Sequence, residues 1–532
     1  MRVTFLAAAG LLATAMLTSS VSAETLRYAA ATPALTLDPH STSDFTTTAL
    51  YRQMYDSLVG LTDEMGTEPG IAIEWEHDGD KTWRFTLRDD VVFHDGTALT
   101  AEDVAFSIMR QASSPQYRGL FGTISSAVAV DDTTVDVTST VGDPILPQRM
   151  TRLFIMSKAW AEEHDIAEVP QLAATGSEAY SLRNANGTGA LKLVSHDPST
   201  RTVMERNEDF WGEAEGNIDE FIFMPIGSAP TRLASLLSGE VDMIMDLPLQ
   251  DIQRVETTAG YTASQIPQLS WMQLEMDGTR DVAIEAYDKA GNQLEANPLK
   301  DVRVRQAFAH AIDAQLIVDR VMRGSARVVG IPSVPGLAGH QPQIDQRLET
   351  DLDKAKALLA EAGYPDGFQI QLNCPLERYV NTDEICRAAA SMLARINVDV
   401  RVNGMLWPDF AAMLVNGPDS SFHLIGAGPN SWNGQDTFTS IIMTRSTETS
   451  MGQFNWALWS NERVDEIGIE LASTFDEDRR NELFEEGFTI ARDNVHAVYL
   501  HQAMLSWASA DRFTTQLRGD GVPLLLEAKV AE

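Results

Sequence analysis

Residues 368–403 read FQIQLNCPLERYVNTDEICRAAASMLARINVDVRVN, and this stretch decides the fold class. Phe368 to Asn373 and Val398 to Asn403 read as strands, and they flank a helix that carries Cys386. A strand, a helix and a second strand in this order are the signature of an α/β lobe.

Outward from this unit, strands and helices alternate along the whole chain. Upstream, Asp351 to Ala362 is amphipathic through Ala355, Leu358, Leu359 and Ala362, and Gly363 and Pro365 stop it. Asp301 can cap a helix carrying Val304, Ala307, Phe308 and Ala311. Asp313 can cap the next, which buries Ile317, Val318 and Val321 and ends at Gly324. Nearer the N-terminus, Thr82 to Arg88 alternates Trp83, Phe85 and Leu87 with polar neighbours, as a half-buried strand does. Asp95-Gly96 is a turn, and Thr100 is placed to cap a helix with Glu102 and Asp103 at the positive end of its dipole. Val104, Ile108 and Ala112 form the apolar stripe of that helix. Hairpins are expected at Ala127 to Val137, turning at Asp131-Asp132, and at Ala190 to Glu205, turning at Asp197-Pro198-Ser199. No internal repeat or low-complexity segment interrupts the pattern.

The first residues fit a secretory signal. Arg2 supplies a positive start, Val3 to Leu17 is an uncharged Ala/Leu-rich core, and Val21-Ser22-Ala23 is a small-residue cleavage site. That core, about 15 residues, is too short to span a bilayer of ~30 Å. An uncleaved anchor is the alternative. The 532-residue chain without this leader is still too long for one core, so two or more domains are expected. The full chain's formal charge of −36 repels phosphate backbones and anionic lipid, which argues against nucleic-acid and membrane-surface partners. Cys374 and Cys386 are the two cysteines. In an oxidising compartment a close pair reads as one disulfide, and the spacing is too wide for a C-x-x-C redox or metal pair.

Several segments then look familiar together. Tyr55-Asp56-Ser57-Leu58-Val59, Trp83-Arg84-Phe85-Thr86-Leu87-Arg88, Val92-Phe93-His94-Asp95-Gly96 and Ala101-Glu102-Asp103-Val104 come first. Asn186-Gly187-Thr188-Gly189, Arg206-Asn207-Glu208-Asp209-Phe210-Trp211 and Ser238-Gly239-Glu240-Val241-Asp242 follow. The strongest block runs from Asp301 to Asp313, DVRVRQAFAHAID. In this order the set resembles the dipeptide/oligopeptide-binding protein family of bacterial ATP-driven (ABC) importers. The resemblance implies a two-lobed periplasmic binding protein fold, α/β throughout, with an inserted subdomain in the first lobe. Residues 1–23 would then be the leader; 24–57, 176–275 and 498–532 the first lobe; 58–175 its insert; and 276–497 the second lobe. The crossings are expected near Trp271 to Asp277 and Ala497 to Gln502. Also implied are a monomer without cofactor, a small organic solute, peptide or peptide-like, and an inner-membrane permease with ATPase subunits as partner.

The resemblance also points to site residues. The segment after Leu37-Asp38-Pro39-His40 places Ser43, Asp44 and Phe45 at the cleft edge, with a solvated Ser/Thr-rich turn as the alternative. Arg378 matches the stretch from which dipeptide binders present an arginine to the peptide carboxylate, a bidentate and charge-assisted contact. Trp271, Trp407 and Trp432 are the aromatic candidates, each equally suited to a core. Trp432 lies in a polar, Gly-rich loop, Gly426 to Gly434, of the kind that offers backbone donors to a ligand. Peptide binders hold an acidic residue in that loop for the peptide's amine. Here Asn430 and Ser431 stand nearest and Asp436 comes later, which favours a carboxylate-bearing, sugar-like or amine-blocked solute. Opine-like and metal-chelate guests are further alternatives, as is a sensor that docks on a membrane receptor. An exported hydrolase has no support, because no nucleophile elbow, S-x-x-K, H-E-x-x-H or P-loop pattern is present. The ten histidines are scattered without ligand spacing, so no metal site is expected.

Overall fold

A computed structural model describes residues 24–170, 179–213, 215–376, 378–415 and 419–531; the expected leader lies outside them. Two strands far longer than the rest, Tyr261–Met276 and Ala497–Ala510, run antiparallel through the middle of a twelve-stranded sheet. Their register breaks between Pro267 and Trp271, and shifts again between Met272 and Gln273. Before the break, Tyr261 to Pro267 pair with Ala510 to Met504. After it, Trp271 to Glu275 pair with Gln502 to Ala497 on one side, and Trp271 to Met276 with Ala427 to Phe422 on the other.

This break divides the sheet into two flanks. On one, Ala497–Ala510 is bordered by Met243–Met245, Thr25–Ala30, Glu220–Pro225, Arg201–Arg206 and Leu191–Asp197. Thr25–Ala30 is parallel to both of its neighbours, so the chain leaves this flank and returns to it. Its core gathers Leu26, Tyr28, Tyr51, Tyr55, Phe221 and Phe223. On the other flank, Tyr261–Met276 is bordered by Phe422–Ala427 and then Gln369–Leu376, with Asp399–Leu406 parallel to the latter. The opening stretch folds as read, with both strands running three residues further than expected, to Leu376 and Leu406. The helix Thr382–Ala394 packs Ile385, Cys386, Ala389 and Leu393 into the same core as Phe308, Phe368 and Leu372. Cys374 and Cys386 are disulfide-bonded and fully buried there.

A separate four-stranded antiparallel sheet is built from Ala72–His77, Thr82–Leu87, Thr134–Ser139 and Ile124–Asp131. Trp83, Phe85 and Leu87 are its inward residues, as the alternation requires. The helix Ala101–Ser113 covers it and begins with a full capping box, in which Thr100 and Asp103 satisfy each other's backbone N–H. Asp301, Asp313 and Asp351 cap the three helices expected of them. Among the described residues, no helix is long and apolar enough to cross a membrane.

Candidate functional site

The register break places polar side chains where the two flanks meet. Trp271, Gln273 and Glu275 alternate onto one face of their strand. Trp271 Nε1 donates to Gln273 Oε1 at 2.6 Å, and Gln273 Nε2 donates to Glu275 Oε1 at 2.7 Å. His423 pairs with Glu275 in the register, its Nε2 3.2 Å from Glu275 Oε2. All four are buried. Buried polar groups are costly unless they satisfy one another, so this row fixes one arrangement of the central strands.

Beyond Ala427 the chain enters the Gly-rich loop. Trp432 takes a left-handed conformation, φ 60°, and its carbonyl accepts from Ala338 N–H at 3.1 Å. Asn433 then caps the turn Gly434–Asp436 by accepting from Gln435 N–H at 2.9 Å. The Ser431 hydroxyl and the Trp432 indole N–H are shut away from solvent without a hydrogen-bond partner among the described residues.

Two arginines from around the short helix Leu146–Met150 reach this loop. Arg149 donates to Asp143 at 2.7 Å and to Asp436 at 2.8 Å, all three buried. Burial lifts the Asp143 carboxyl above its ordinary value in spite of Arg149, and Asp436 adds to the lift. The Arg152 guanidinium lies over the Trp432 ring, 5.4 Å from its centroid. Neither arginine was among the residues expected from the sequence. The available signal was two arginines inside the run Ile145 to Met156, whose other residues are apolar except Gln148 and Thr151, since arginine in such a run must find a buried role.

The residues that were expected fall in four places. Asn430, Ser431 and Trp432 stand together in the loop. Arg378 is exposed, its guanidinium 4.8 Å from the Trp407 ring and 5.5 Å from the Tyr379 ring. Trp407 is half-buried and stacks on Phe410 at 5.9 Å. Trp271 is 1 % exposed and belongs to the core beside the central strands. At the N-terminal segment, Asp44 caps the helix Phe45–Tyr51 by accepting from Thr47 N–H at 3.0 Å, with Ser43 half-buried before it. Phe45 packs toward the core of the first flank and against Gly521. The preceding Leu37-Asp38-Pro39-His40 block is interior, where Arg110 holds Asp38 at 2.6 Å and meets His40 at 2.9 Å. Among the described residues no three His, Cys, Asp or Glu side chains gather as a metal cage.

Two sheet flanks joined by a pair of continuous strands, with aromatic and polar groups gathered at their meeting, define a two-lobed α/β binding protein. The chain belongs to the bacterial extracellular solute-binding proteins, family 5, whose "Middle" description matches residues 66–449. It is 26% identical over 515 residues to the dipeptide-binding protein of Escherichia coli K12, covering 91% of this chain and 90% of that one. Among solved structures, a dipeptide-binding protein from Pseudoalteromonas in complex with Met-Leu superposes with TM-score 0.79 at 20% identity, covering 96% and 100% of the two chains. The AgaA binding protein of A. tumefaciens R10 in complex with agropinic acid superposes with TM-score 0.76 at 20% identity, covering 96% and 99%. The periplasmic binding protein fold expected from the resemblance is thereby established.

Proposed function

We propose that this protein is the periplasmic component of an ABC importer, a monomeric clamp that closes on one small organic solute and passes it to a membrane permease with its ATPase. The first lobe comprises 24–57, 176–275 and 498–532, with 58–175 inserted, and the second comprises 276–497. The hinge is the register break at Pro267 and Trp271, a few residues earlier on the first crossing strand than the sequence suggested. The observation that carries the reading is this pair of strands: Tyr261–Met276 borders the second flank, Ala497–Ala510 borders the first, and the ladder between them is interrupted where the flanks meet. A sheet continuous on both sides of one break bends there at least cost, which is how hinge closure works.

Closure around a guest is favoured only by contacts that exist in the closed form. Arg149 with Asp436, and Arg152 with Trp432, join the proposed insert to the proposed second lobe and are contacts of that kind. A peptide or peptide-like, carboxylate-bearing solute agrees with the ligands named for the relatives. An amine-blocked or opine-like guest is supported by the loop itself, where Asn430 and Ser431 carry no charge and Asp436 is already paired with Arg149. Arg378, Trp407, Asn430, Ser431, Trp432 and Ser43 are the proposed cleft lining.

The test is native mass spectrometry of the protein purified from its own periplasm, followed by small-angle scattering with and without the released compound. A stoichiometric guest and a smaller radius of gyration on adding it back are the expected results. A particle of fixed dimensions with every compound tried would sink the proposal.

A further inference from the structure

Arg152 is a buried cation with no carboxylate or hydrogen-bond acceptor among the described residues to answer it. It is 6 % exposed, its Nε has no hydrogen-bond partner, and no carboxylate of the described residues lies within ion-pair reach of it. The other arginines of this region are matched. Arg149 is shared between Asp143 and Asp436, while Arg52 and Arg518 share Asp520 at 2.7 and 2.9 Å. Arg152 stands close enough to Arg52 to help push that guanidinium down to about 10, behind burial and Arg518. The acid of the neighbourhood is therefore spoken for, and Arg152 adds an uncompensated positive charge to an interior already rich in guanidinium. Such a charge is costly in a protein interior unless an anion meets it.

Across from it, the Gly-rich loop presents hydrogen-bonding groups of the same unpartnered kind. Trp432 Nε1 and Ser431 Oγ are closed off from solvent with no partner among the described residues. Neither is acidic, and Asp436, the nearest acid of the loop, is consumed by Arg149. One side thus offers a naked planar cation and the other offers neutral polar groups. Nothing there is suited to an ammonium.

We infer that Arg152 receives the carboxylate of the solute, and that the guest is a small organic acid with polar groups but without a free ammonium. This rests on the clamp reading and names the chemistry of its guest. A guanidinium with both Nη atoms uncommitted fits a carboxylate in bidentate fashion, and the indole of Trp432 keeps its plane in place by stacking. The unpaired charge is then a cost of closing without a guest, relieved when a carboxylate is held in the closed form.

The experiment is a melting-shift screen followed by calorimetry. The probes are N-acetyl dipeptides such as N-acetyl-Met-Leu, N-carboxyalkyl amino acids and sugar acids. Each is run beside its uncharged amide, with free-amine dipeptides and phosphate monoesters in parallel. Acids are expected to raise the melting temperature and their amides to have no effect. Arg152→Met should weaken the best acid about 10- to 100-fold. Arg152→Lys, which keeps the charge and loses the fork, should fall between. The inference is overturned if the hits are amides, free-amine dipeptides or phosphates, if no acid registers, or if Arg152→Met binds the best acid within about threefold of the parent. Compaction with a neutral guest would remove this inference and leave the clamp standing, whereas the absence of compaction with any guest removes the clamp.

Discussion

Arg149 Nη2 donates to Asp436 Oδ1 at 2.8 Å although 287 residues separate them, and both side chains are at most 4 % exposed. Under the proposed hinge the two sit on opposite lobes, so the pair exists only when the jaws are shut. Asp143 holds Arg149 from its own side at 2.7 Å, which keeps the cation oriented while the clamp is open. Asp436→Asn should then weaken solute binding by ~1.5–3 kcal/mol, the range for a hydrogen bond to a charged group. The loss belongs to the dissociation rate, because the contact forms after the guest has entered. Stopped-flow dissociation measures it directly; an off-rate equal to that of the parent would show that the pair does not hold the closed form.

Acid should destabilise the fold well before its carboxylates titrate. His40, His496 and His501 are wholly buried. Burial pushes His40 down to about 3, with Arg110 adding to the shift, and pushes His496 and His501 down to about 4. In the unfolded chain each would take a proton near pH 6.5. The native form therefore binds fewer protons than the unfolded form between about pH 4 and 6.5, and stability falls as pH drops through that window. Each such site contributes up to about 1.4 kcal/mol per pH unit. Burial raises Asp56 and Asp143 above their ordinary values, which works in the opposite sense and blunts the decline. Denaturant melts at pH 7, 6 and 5 should show the loss, and His501→Gln should flatten it by about one such increment; parallel curves for the two proteins would exclude His501 as a source.

Much of the fold was legible because its signals are local. Thr100, Asp301, Asp313 and Asp351 announce helices through caps that need only a few residues of context, and all four serve as read. Alternation at Trp83, Phe85 and Leu87 sufficed for a strand, since one face of that sheet is buried. The site was harder. Arg152 owes its character to what is missing around it in three dimensions, and no sequence window reports an absent partner. Asp436 could be placed in the sequence only as an acid after the loop, because its partner Arg149 lies far upstream. Trp271 shows the converse: its pattern suited a ligand wall as well as a core, and only the hydrogen bond to Gln273 and the packing around it show where the indole goes.

The Cys374–Cys386 bridge ties the end of a strand to the helix that follows, across a sequence separation of 12. Closing a loop of that length restricts the unfolded chain and stabilises the fold by ~3 kcal/mol in the chain-entropy model. Both sulfurs are buried in the core with Phe308 and Leu372, so reduction of the native form should be slow and should follow unfolding. The double variant Cys374→Ala with Cys386→Ala should lose about that much unfolding free energy and so melt at a lower denaturant midpoint. A midpoint unchanged from the oxidised parent would mean that the unfolded chain gains nothing from the loss of the bridge.

Arg378 shares its charge with aromatic faces and with water, which sets it apart from Arg152. It is exposed and lies over Trp407 and Tyr379, with no carboxylate of the described residues in ion-pair reach. In water-facing surroundings a charge acts over a distance and is screened by salt, so its effect falls on encounter more than on retention. Arg378→Ala should therefore cost less than about 1 kcal/mol of affinity for a carboxylate guest. The association rate should drop and lose part of its dependence on ionic strength, with the dissociation rate nearly intact. Binding kinetics at low and high salt separate the cases. If Arg378→Ala instead accelerates dissociation as strongly as Arg152→Met does, the two guanidiniums grip the guest together, and the outer arginine belongs inside the closed cleft.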